Sequence, residues 1–254
     1  MTASEASRVP APPVVQLEQV SVAFQRPILR DVSLQVAKAE TVAVVGESGT
    51  GKSTLLRLML GLQRPDRGSV RVMGVDVNSG DRDSLRALRA QVGMVFQGAA
   101  LFDSMNTFEN VAFGLRETGV LSEAGIRERV RETLALVDLE PGAVSHILPA
   151  QLSGGMRKRV GIARAVAPRP AVLLYDEPTA GLDPLTSEIV TTLMQRLQRD
   201  LHVTSVIVSH DVRAMLRIAD RIALLRDGAF AFLGAPDAMR ESDEPYTRAF
   251  LAAA

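Results

Sequence analysis

Short runs of apolar residues alternate along the chain with segments in which apolar residues repeat at helical spacing. Three runs of this kind end at polar residues, at positions 41–45, 171–175 and 204–208. Apolar runs of this length predict strands buried on both faces, as in a parallel sheet. Between the last two runs, residues 185–201 carry apolar side chains on one face and predict a helix.

The N-terminal third and the C-terminal end contain further predicted strands. Residues 14–22 alternate and predict an edge strand, 33–36 predict a second strand, and 68–74 predict a short antiparallel strand bounded by glycines. The runs at 92–96, 222–225 and 229–233 extend the set. Asp227 and Gly228 stand between the last two runs and are typical of a hairpin turn.

The middle of the chain changes from strand to helix periodicity. Ile126, Val130 and Leu134 recur at helical spacing within residues 108–139, and Ser122 and Glu123 are suited to the entry of that helix. We predict a helical insertion over about residues 98–165. The fold class predicted is α/β: a mainly parallel sheet that binds ligands at its carboxyl edge, an antiparallel β-subdomain and the helical insertion.

Composition narrows the classes of function. With 254 residues, of which 46% are apolar, the chain fits one large α/β domain. Lysine plus arginine equal aspartate plus glutamate at 29 each, so no overall field favours nucleic acid. The absence of cysteine excludes disulfides and thiolate metal sites, and three histidines argue against a histidine-rich one.

The sequence predicts neither a membrane-spanning helix nor a secretory signal peptide. No segment reaches the roughly 18 apolar residues of a spanning helix. Residues 1–13 are small, polar and proline-bearing, with no apolar core of a secretory signal, and we expect a disordered lead. Residues 14–254 are then one domain. A cytosolic chain that docks on a membrane protein fits this pattern.

A glycine-rich segment follows the apolar run at 41–45 and precedes a helical pattern. Its residues are Gly46, Glu47, Ser48, Gly49, Thr50, Gly51, Lys52 and Ser53. Such loops point backbone N–H groups at phosphates, at the positive end of the following helix. Lys52 supplies charge for the β- and γ-phosphates, and the Ser53 hydroxyl is a ligand for Mg²⁺. We therefore predict that the chain binds a nucleoside triphosphate.

Acidic residues follow the apolar run at 171–175. Asp176 suits Mg²⁺, and Glu177 is placed to orient or deprotonate the attacking water. The alternative is a pair of acids that caps the turn before Pro178. The phosphate loop in the same chain favours the catalytic interpretation.

Three weaker signals accompany these motifs. Ser153, Gly154 and Gly155 open a helix and offer N–H groups to an anion, although an ordinary N-cap explains them equally. His210 follows the run at 204–208, where it is suited to a γ-phosphate or the attacking water, although a lone histidine is more often a surface or cap residue. Gln97 ends its own strand and says little alone.

In this order, the motifs resemble those of ABC-transporter ATPase subunits. The phosphate loop, Gln97, the segment 152–156, the segment 173–177, Asp183 after Gly181, and His210 cover the chain from about residue 14 to 233. The resemblance implies a RecA-like core, with ATP and Mg²⁺ as ligands. It also implies that two copies meet head to tail, each signature segment closing over ATP bound by the other copy.

The resemblance also implies a role for each matching position. Lys52, Ser53 and Thr54 would contact phosphates and metal, Gln97 would sense Mg²⁺ and water, and Asp176 would hold the metal. Glu177 would be the base and His210 the γ-phosphate switch. Ser153, Gly154, Gly155 and Asp183 would reach across the dimer. Phe24 would stack on adenine; the alternative is a core residue after an edge strand.

A narrower likeness concerns residues 96–105 and 108–113. Small residues and Leu-Phe-Asp after the glutamine, with Met156 in the signature segment, resemble the ATPases of Mla and Mce lipid-transport systems. That likeness implies transport of phospholipid between bacterial membranes, a homodimer on the cytoplasmic face of the inner membrane, permease subunits docked near Gln97–Phe113, and an Mce-type partner.

Three hypotheses therefore remain. The leading one is the ATPase of a lipid transporter, the second an import ATPase for an amino acid, peptide or ion, and the third a non-transport ATPase acting in DNA repair or on ribosomes. Arg157, Lys158 and Arg159 resemble a nucleic-acid patch, but three charges on one helical turn are usually a solvated face, and we expect no nucleic-acid partner.

Overall fold

The computed structural model describes residues 12–78 and 81–253. The strands are β1 Val15–Ala23, β2 Pro27–Val36, β3 Thr41–Val45, β4 Arg67–Val72, β5 Val75–Asp76, β6 Val92–Val95, β7 Val172–Asp176, β8 Thr204–Ser209, β9 Arg221–Arg226 and β10 Ala229–Gly234. The helices are α1 Lys52–Met59, α2 Arg82–Ala90, α3 Thr107–Thr118, α4 Glu123–Leu136, α5 Pro141–Val144, α6 Gly154–Val166, α7 Pro184–Leu201, α8 Val212–Ile218, α9 Pro236–Arg240 and α10 Pro245–Ala253. The N-terminal lead predicted at residues 1–13 lies, as far as residue 11, outside these ranges.

The central layer is a six-stranded sheet in the order β10-β9-β3-β8-β7-β6. All of its neighbouring strands run parallel except β10, which pairs antiparallel with β9 through the turn at Asp227 and Gly228. Both turn residues have positive φ, 47° and 82°, as a tight hairpin turn requires. The prediction of an α/β fold with a mainly parallel sheet is confirmed.

A second, four-stranded antiparallel sheet has the order β2-β1-β4-β5. Val15 pairs with Val36 of β2 on one side and with Val72 of β4 on the other. The prediction that residues 14–22 form an edge strand is therefore wrong. Alternation of apolar and polar residues indicates which face of a strand is buried, but it does not indicate whether the two edges of the strand are hydrogen-bonded to neighbouring strands.

The phosphate-loop strand β3 lies between two hydrophobic clusters. Val42 and Val44 belong to the cluster shared with the antiparallel sheet and α1, while Ala43 and Val45 belong to the cluster shared with α6, α7 and the helical insertion. Successive strand residues point to opposite faces, so a strand buried on both faces must be apolar throughout. The loop that follows β3 is consequently anchored from both sides.

The helical pattern at 108–139 corresponds to two helices, α3 and α4. Gly119, with φ of 64°, caps α3, and the Ser122 hydroxyl accepts from the N–H of Gly125 to start α4. The apolar spacing of α4 and its start at Ser122 and Glu123 are confirmed, but the separate helix α3 before it was not predicted. The division into a lead, one domain and a helical subdomain at 98–165 stays a prediction.

In the described ranges, no helix has both the length and the apolar character needed to cross a bilayer.

We expect Gly93→Ala to destabilise the protein. A Cβ on Gly93 in β6 would lie 2.5 Å from the Ala165 carbonyl oxygen and 2.6 Å from Leu173 Cδ2. Such overpacking lowers the free energy of unfolding by about 1–3 kcal/mol. Urea denaturation of the purified chain measures the change.

The matched control is Gly114→Ala in α3, where the added methyl would meet only Pro168 Cγ, at 3.7 Å. Replacing a helical glycine raises the free energy of unfolding by up to about 1 kcal/mol. Equal urea midpoints for the two variants would contradict the close packing between β6 and α6.

Candidate nucleotide-binding site

The loop between β3 and α1 depends on glycine at two positions. Gly46 has φ of 152°, and a Cβ there would lie 2.4 Å from the Leu225 carbonyl oxygen of β9. Gly51 has φ of 104° and stands against Ile28 and Leu29 of β2. A side chain at either position would push the loop away from the sheet. The loop therefore sits close to both sheets at the N-terminus of α1.

Lys52 is buried and points back into the loop. Its ammonium donates to the carbonyl oxygens of Gly46, at 2.7 Å, and Glu47, at 2.9 Å, and lies 3.7 Å from Oε1 of Glu177. Burial lowers the pKa of Lys52, and the Glu177 charge opposes that shift. A buried cation beside backbone N–H groups is suited to triphosphate, because the ligand supplies the missing negative charge.

Ser53 and Asp176 meet across the sheet edge. The Ser53 hydroxyl donates to Oδ1 of Asp176 at 2.8 Å, although the residues are 123 positions apart. A hydroxyl and a carboxylate in contact form an oxygen donor set of the kind Mg²⁺ takes, with phosphate oxygens and waters completing the shell. The pair therefore fits the metal. Among the described residues no cluster of three His, Cys, Asp or Glu side chains forms a metal site without such help.

The carboxylate of Glu177 is held at both oxygens. Oε2 accepts from the backbone N–H of His210 at 3.2 Å and lies 2.7 Å from its Nδ1, while Oε1 faces Lys52. Glu177 itself has φ of 46°, in the left-handed region, and its N–H donates to the Val208 carbonyl. A left-handed glutamate is strained by about 1–3 kcal/mol, which marks a position held by its surroundings. The capping alternative for Asp176 and Glu177 does not describe these contacts.

Phe24 lies beyond the end of β1, in the turn before β2, and is 66% exposed. The alternative of a core residue is therefore wrong. Ile28 and Leu29 of the strand after this turn lie against Gly51, so the turn leads into the part of the antiparallel sheet that borders the phosphate loop. A free aromatic face there is suited to stacking on a base, and this role stays a prediction.

The signature segment packs against the start of α7. A Cβ on Gly155 would lie 2.5 Å from Thr186 Cγ2, and the Asp183 carboxylate accepts from both the N–H and the hydroxyl of Thr186. These bonds lower the pKa of Asp183. The exposed Ser153 hydroxyl accepts from the N–H of Met156 as an N-cap. Within one chain the plain N-cap interpretation of Ser153 holds, and Asp183 caps the start of α7 in the same way. The contacts of both residues with a second copy stay predictions.

Gln97 is exposed, just beyond the end of β6, and opens a segment that borders an apolar groove. Aromatic and small residues line this groove of about 1150 Å³, among them Phe96, Ala100, Phe102 and Phe113. The rings of Phe102 and Phe113 lie 4.8 Å apart. Arg164 of α6 donates to the carbonyl oxygens of Ala99 and Ala100, which both have positive φ. The side of the groove formed by α2 was not predicted.

Three contacts at the site were also not predicted. The Tyr246 hydroxyl of α10 donates to Oε1 of Glu47 at 3.1 Å, and the Arg226 guanidinium lies 4.0 Å from the Tyr246 ring centre. Lys158 of α6 donates to the carbonyl oxygen of Gln97. The two hydrogen-bonded pairs join residues that are 199 and 61 positions apart in the sequence. No local pattern signals such pairs.

The fold and the site together define a P-loop nucleotide-binding protein, with the phosphate loop, a metal-binding oxygen pair and a carboxylate–histidine pair at one sheet edge. The family model described as "ABC transporter" matches residues 29–180. The chain therefore belongs to the ABC transporter ATP-binding family.

Two similar proteins are named as import ATP-binding proteins. The chain is 43% identical over 224 residues to the methionine import ATP-binding protein MetN of Xylella fastidiosa, covering 88% of this chain and 66% of that protein. It is 45% identical over 214 residues to the sulfate/thiosulfate import ATP-binding protein CysA of Burkholderia mallei, covering 83% and 59%. The chain thus spans about two thirds or less of the length of these relatives.

Solved ABC cassettes share the fold. A dimeric structure of the cassette MJ0796, in a post-hydrolysis state with ADP and Pi, matches with a TM-score of 0.80 at 33% identity, covering 87% of this chain and 98% of that one. The protein cbiO1 of Clostridium perfringens, part of the ABC transporter complex cbiONQ, matches with a TM-score of 0.82 at 26% identity, covering 95% of this chain and 99% of that one. These relatives do not support the narrower likeness to Mla and Mce ATPases or an Mce-type partner.

We expect Lys52→Met to weaken ATP binding by about 10-fold or more, because the variant loses the charge-assisted hydrogen bonds to phosphate. Equilibrium titration with a fluorescent ATP analogue measures the affinity. Arg57→Met, an exposed position on the same helix α1, is the matched control and should bind as the wild type does. Unchanged affinity in Lys52→Met would contradict the phosphate-loop assignment.

Proposed function

We propose that this chain is the ATP-hydrolysing subunit of an ABC importer for a small solute such as an amino acid, peptide or ion. The observation that carries the proposal is the convergence of Lys52, Glu177 and His210, beside the Ser53–Asp176 pair, at one edge of the parallel sheet. The methionine and sulfate import relatives support the importer class. The solute itself is left open.

In this proposal each residue has one task in hydrolysis. Lys52 and the loop N–H groups bind the phosphates, and Glu177 accepts the proton of the attacking water, which His210 helps to orient. Lys52 leaves Oε1 of Glu177 when it turns to phosphate, so the base becomes free when substrate is present. Mg²⁺, held by Ser53 and Asp176 with Gln97 nearby, would supply charge neutralisation at the phosphates.

The active unit in this proposal is a pair of copies. Ser153, Gly154 and Gly155 of one copy would close over the nucleotide of the other, with Asp183 at the seam, and the dimeric MJ0796 structure supports such pairing. A nucleotide that touches both copies stabilises only the closed state, so binding closes the pair and hydrolysis reopens it.

Residues 97–113, called the docking segment below, and the groove beside them are the proposed docking site for the membrane subunit. Its aromatic lining offers apolar surface to an incoming helix. Asn110 keeps the segment in shape, since its amide is bonded to the backbone of Phe102, Met105 and Asn106. Docking there would hold the chain at the cytoplasmic face of the inner membrane.

A lipid exporter or importer is the second candidate, and one specific feature favours it. Residues 98–103 place small residues and Leu-Phe-Asp directly in the docking segment, with left-handed Ala99 and Ala100 held by Arg164. In this proposal these residues contact the membrane subunit. Their sequence is therefore more closely related to the choice of partner, and so to the transported molecule, than identity over the whole chain is.

We expect Glu177→Gln to lower the rate of ATP hydrolysis by about 10²–10⁴-fold, the contribution of a general base. The amide keeps the shape of the side chain, so ATP should still bind and the paired form should accumulate with ATP in size-exclusion chromatography. Near-normal phosphate release would refute the role of Glu177. Glu132→Gln, an exposed acid paired with Arg129 on α4, is the control and should hydrolyse as the wild type does.

We expect Phe102→Ser to reduce capture of the membrane subunit by at least about 10-fold, because it removes an aromatic contact from the groove and leaves a polar gap. Affinity purification of the tagged chain from detergent-solubilised membranes, with quantitative mass spectrometry, measures the yield.

The control is Leu62→Ser, which removes a 62% exposed apolar side chain outside the groove and should leave the yield unchanged. Equal yields for the two variants would contradict docking at the groove. Lipid analysis of the captured complex separates the two cargo hypotheses, since enrichment of one phospholipid class over the bulk membrane would favour the lipid candidate over the importer.

A further inference from the structure

Lys158 is a buried cation that lies just after the signature segment 152–156, and no role has been assigned to its side chain so far. It lies on α6, one turn after Ser153, and its side chain is 7% exposed. Within the described ranges no carboxylate forms an ion pair with it. The expected solvated face, predicted for residues 157–159, is therefore wrong at this position. A buried ammonium is costly unless other groups satisfy its donors.

Two backbone carbonyls from different parts of the site surround the Lys158 ammonium. It donates to the carbonyl oxygen of Gln97 and lies 3.5 Å from the carbonyl oxygen of Glu177. The negative charge of the Glu177 side chain attracts it as well. One cation thus joins the signature helix, the start of the docking segment and the residue proposed as the base.

The contact with Glu177 matters because the backbone of that residue is strained. Its left-handed conformation aims the carboxylate at Lys52 and His210. Its N–H donates to the Val208 carbonyl, and its carbonyl accepts one long bond, at 3.2 Å, from the N–H of Ala180. The ammonium of Lys158 attracts the carbonyl on the other side of the same residue. A small displacement of the Glu177 backbone would move its carboxylate relative to the attacking water. The rate of hydrolysis is very sensitive to that distance.

We propose that Lys158 is a positioning residue for ATP hydrolysis, which fixes the backbone of Glu177 relative to Gln97 and so links the docking segment to the base. The inference rests on the proposed ATPase function. Movement of the docking segment would pull on the Gln97 carbonyl, and the shared ammonium would pass that displacement to Glu177. Arg164, two turns further along α6, donates to the carbonyl oxygens of Ala99 and Ala100. The docking segment is thus attached to α6 at a second point.

The test compares Lys158→Met, Lys158→Arg and the wild-type full-length chain in steady-state ATP hydrolysis. Methionine has a similar length and apolar character but no donors, so kcat should fall about 10-fold or more while the KM for ATP stays within about 2-fold. Arginine restores donors to both carbonyls and should recover part of kcat. Arg159→Met, which removes the next cation on α6 with its bond to the Asp138 carbonyl, should keep wild-type kcat.

Hydrogen exchange gives a second readout that does not depend on activity. In Lys158→Met, the amides of residues 97–101 and those of Glu177, Thr179 and Ala180 should exchange faster together, whereas Arg159→Met should leave both segments unchanged. If Lys158→Met does not fold, Lys158→Gln takes its place in both measurements. Its amide is shorter and uncharged, so it cannot hold both carbonyls at once, and kcat should still fall while both segments exchange faster together.

The outcomes separate this inference from the function on which it rests. If the wild-type chain hydrolyses ATP and Lys158→Met has the same kcat, the positioning role is overturned and the ATPase function stands. A KM that rises with kcat unchanged, or exchange that quickens in only one of the two segments, also overturns it. If the wild-type chain releases no phosphate from ATP, the proposed function itself fails.

Discussion

Parallel pairing of β3, β8 and β7 in register is the constraint on which the site depends. Val45 at the end of β3 is opposite Ser209 of β8, and Val208 is opposite Asp176 of β7. The residues that follow these positions are therefore brought to one edge of the sheet, although they come from three distant parts of the chain. Slippage of one strand by a residue would reverse its side chains between the two faces and separate Glu177 from His210.

Much of this arrangement could be predicted from the sequence, because local pattern and chemistry agree at each strand end. The apolar runs at β3, β7 and β8 and the polar residues after them give the sheet and its active edge. Spacing alone did not give the order of strands or the place of β1, since hydrogen-bonding partners are set by the whole sheet. The helices α2 and α10 were missed because they are short and highly polar or lie at the end of the chain.

Contacts made by side chains remote in sequence were the other limit. Lys158 stands within a run of three cations, and only the position of the β6–α3 connection and of β7 makes it a buried donor rather than a solvated charge. Tyr246 likewise meets Glu47 only after the last helix has packed. A short local motif was also a weak guide to the substrate class. Residues 96–105 favoured lipid, whereas similarity over more than 200 residues favours importers of small solutes.

The position of β3 has a consequence for how the protein is made. β3 ends at residue 45, but its two neighbours in the sheet are β8 and β9, which end at residues 209 and 226. During synthesis, β3, a strand buried along its whole length in the fold, therefore waits with both edges open until β8, at residues 204–209, has emerged. Open strand edges promote aggregation of nascent chains, so interrupted translation before β8 would leave a fragment that depends on chaperones to stay dispersed.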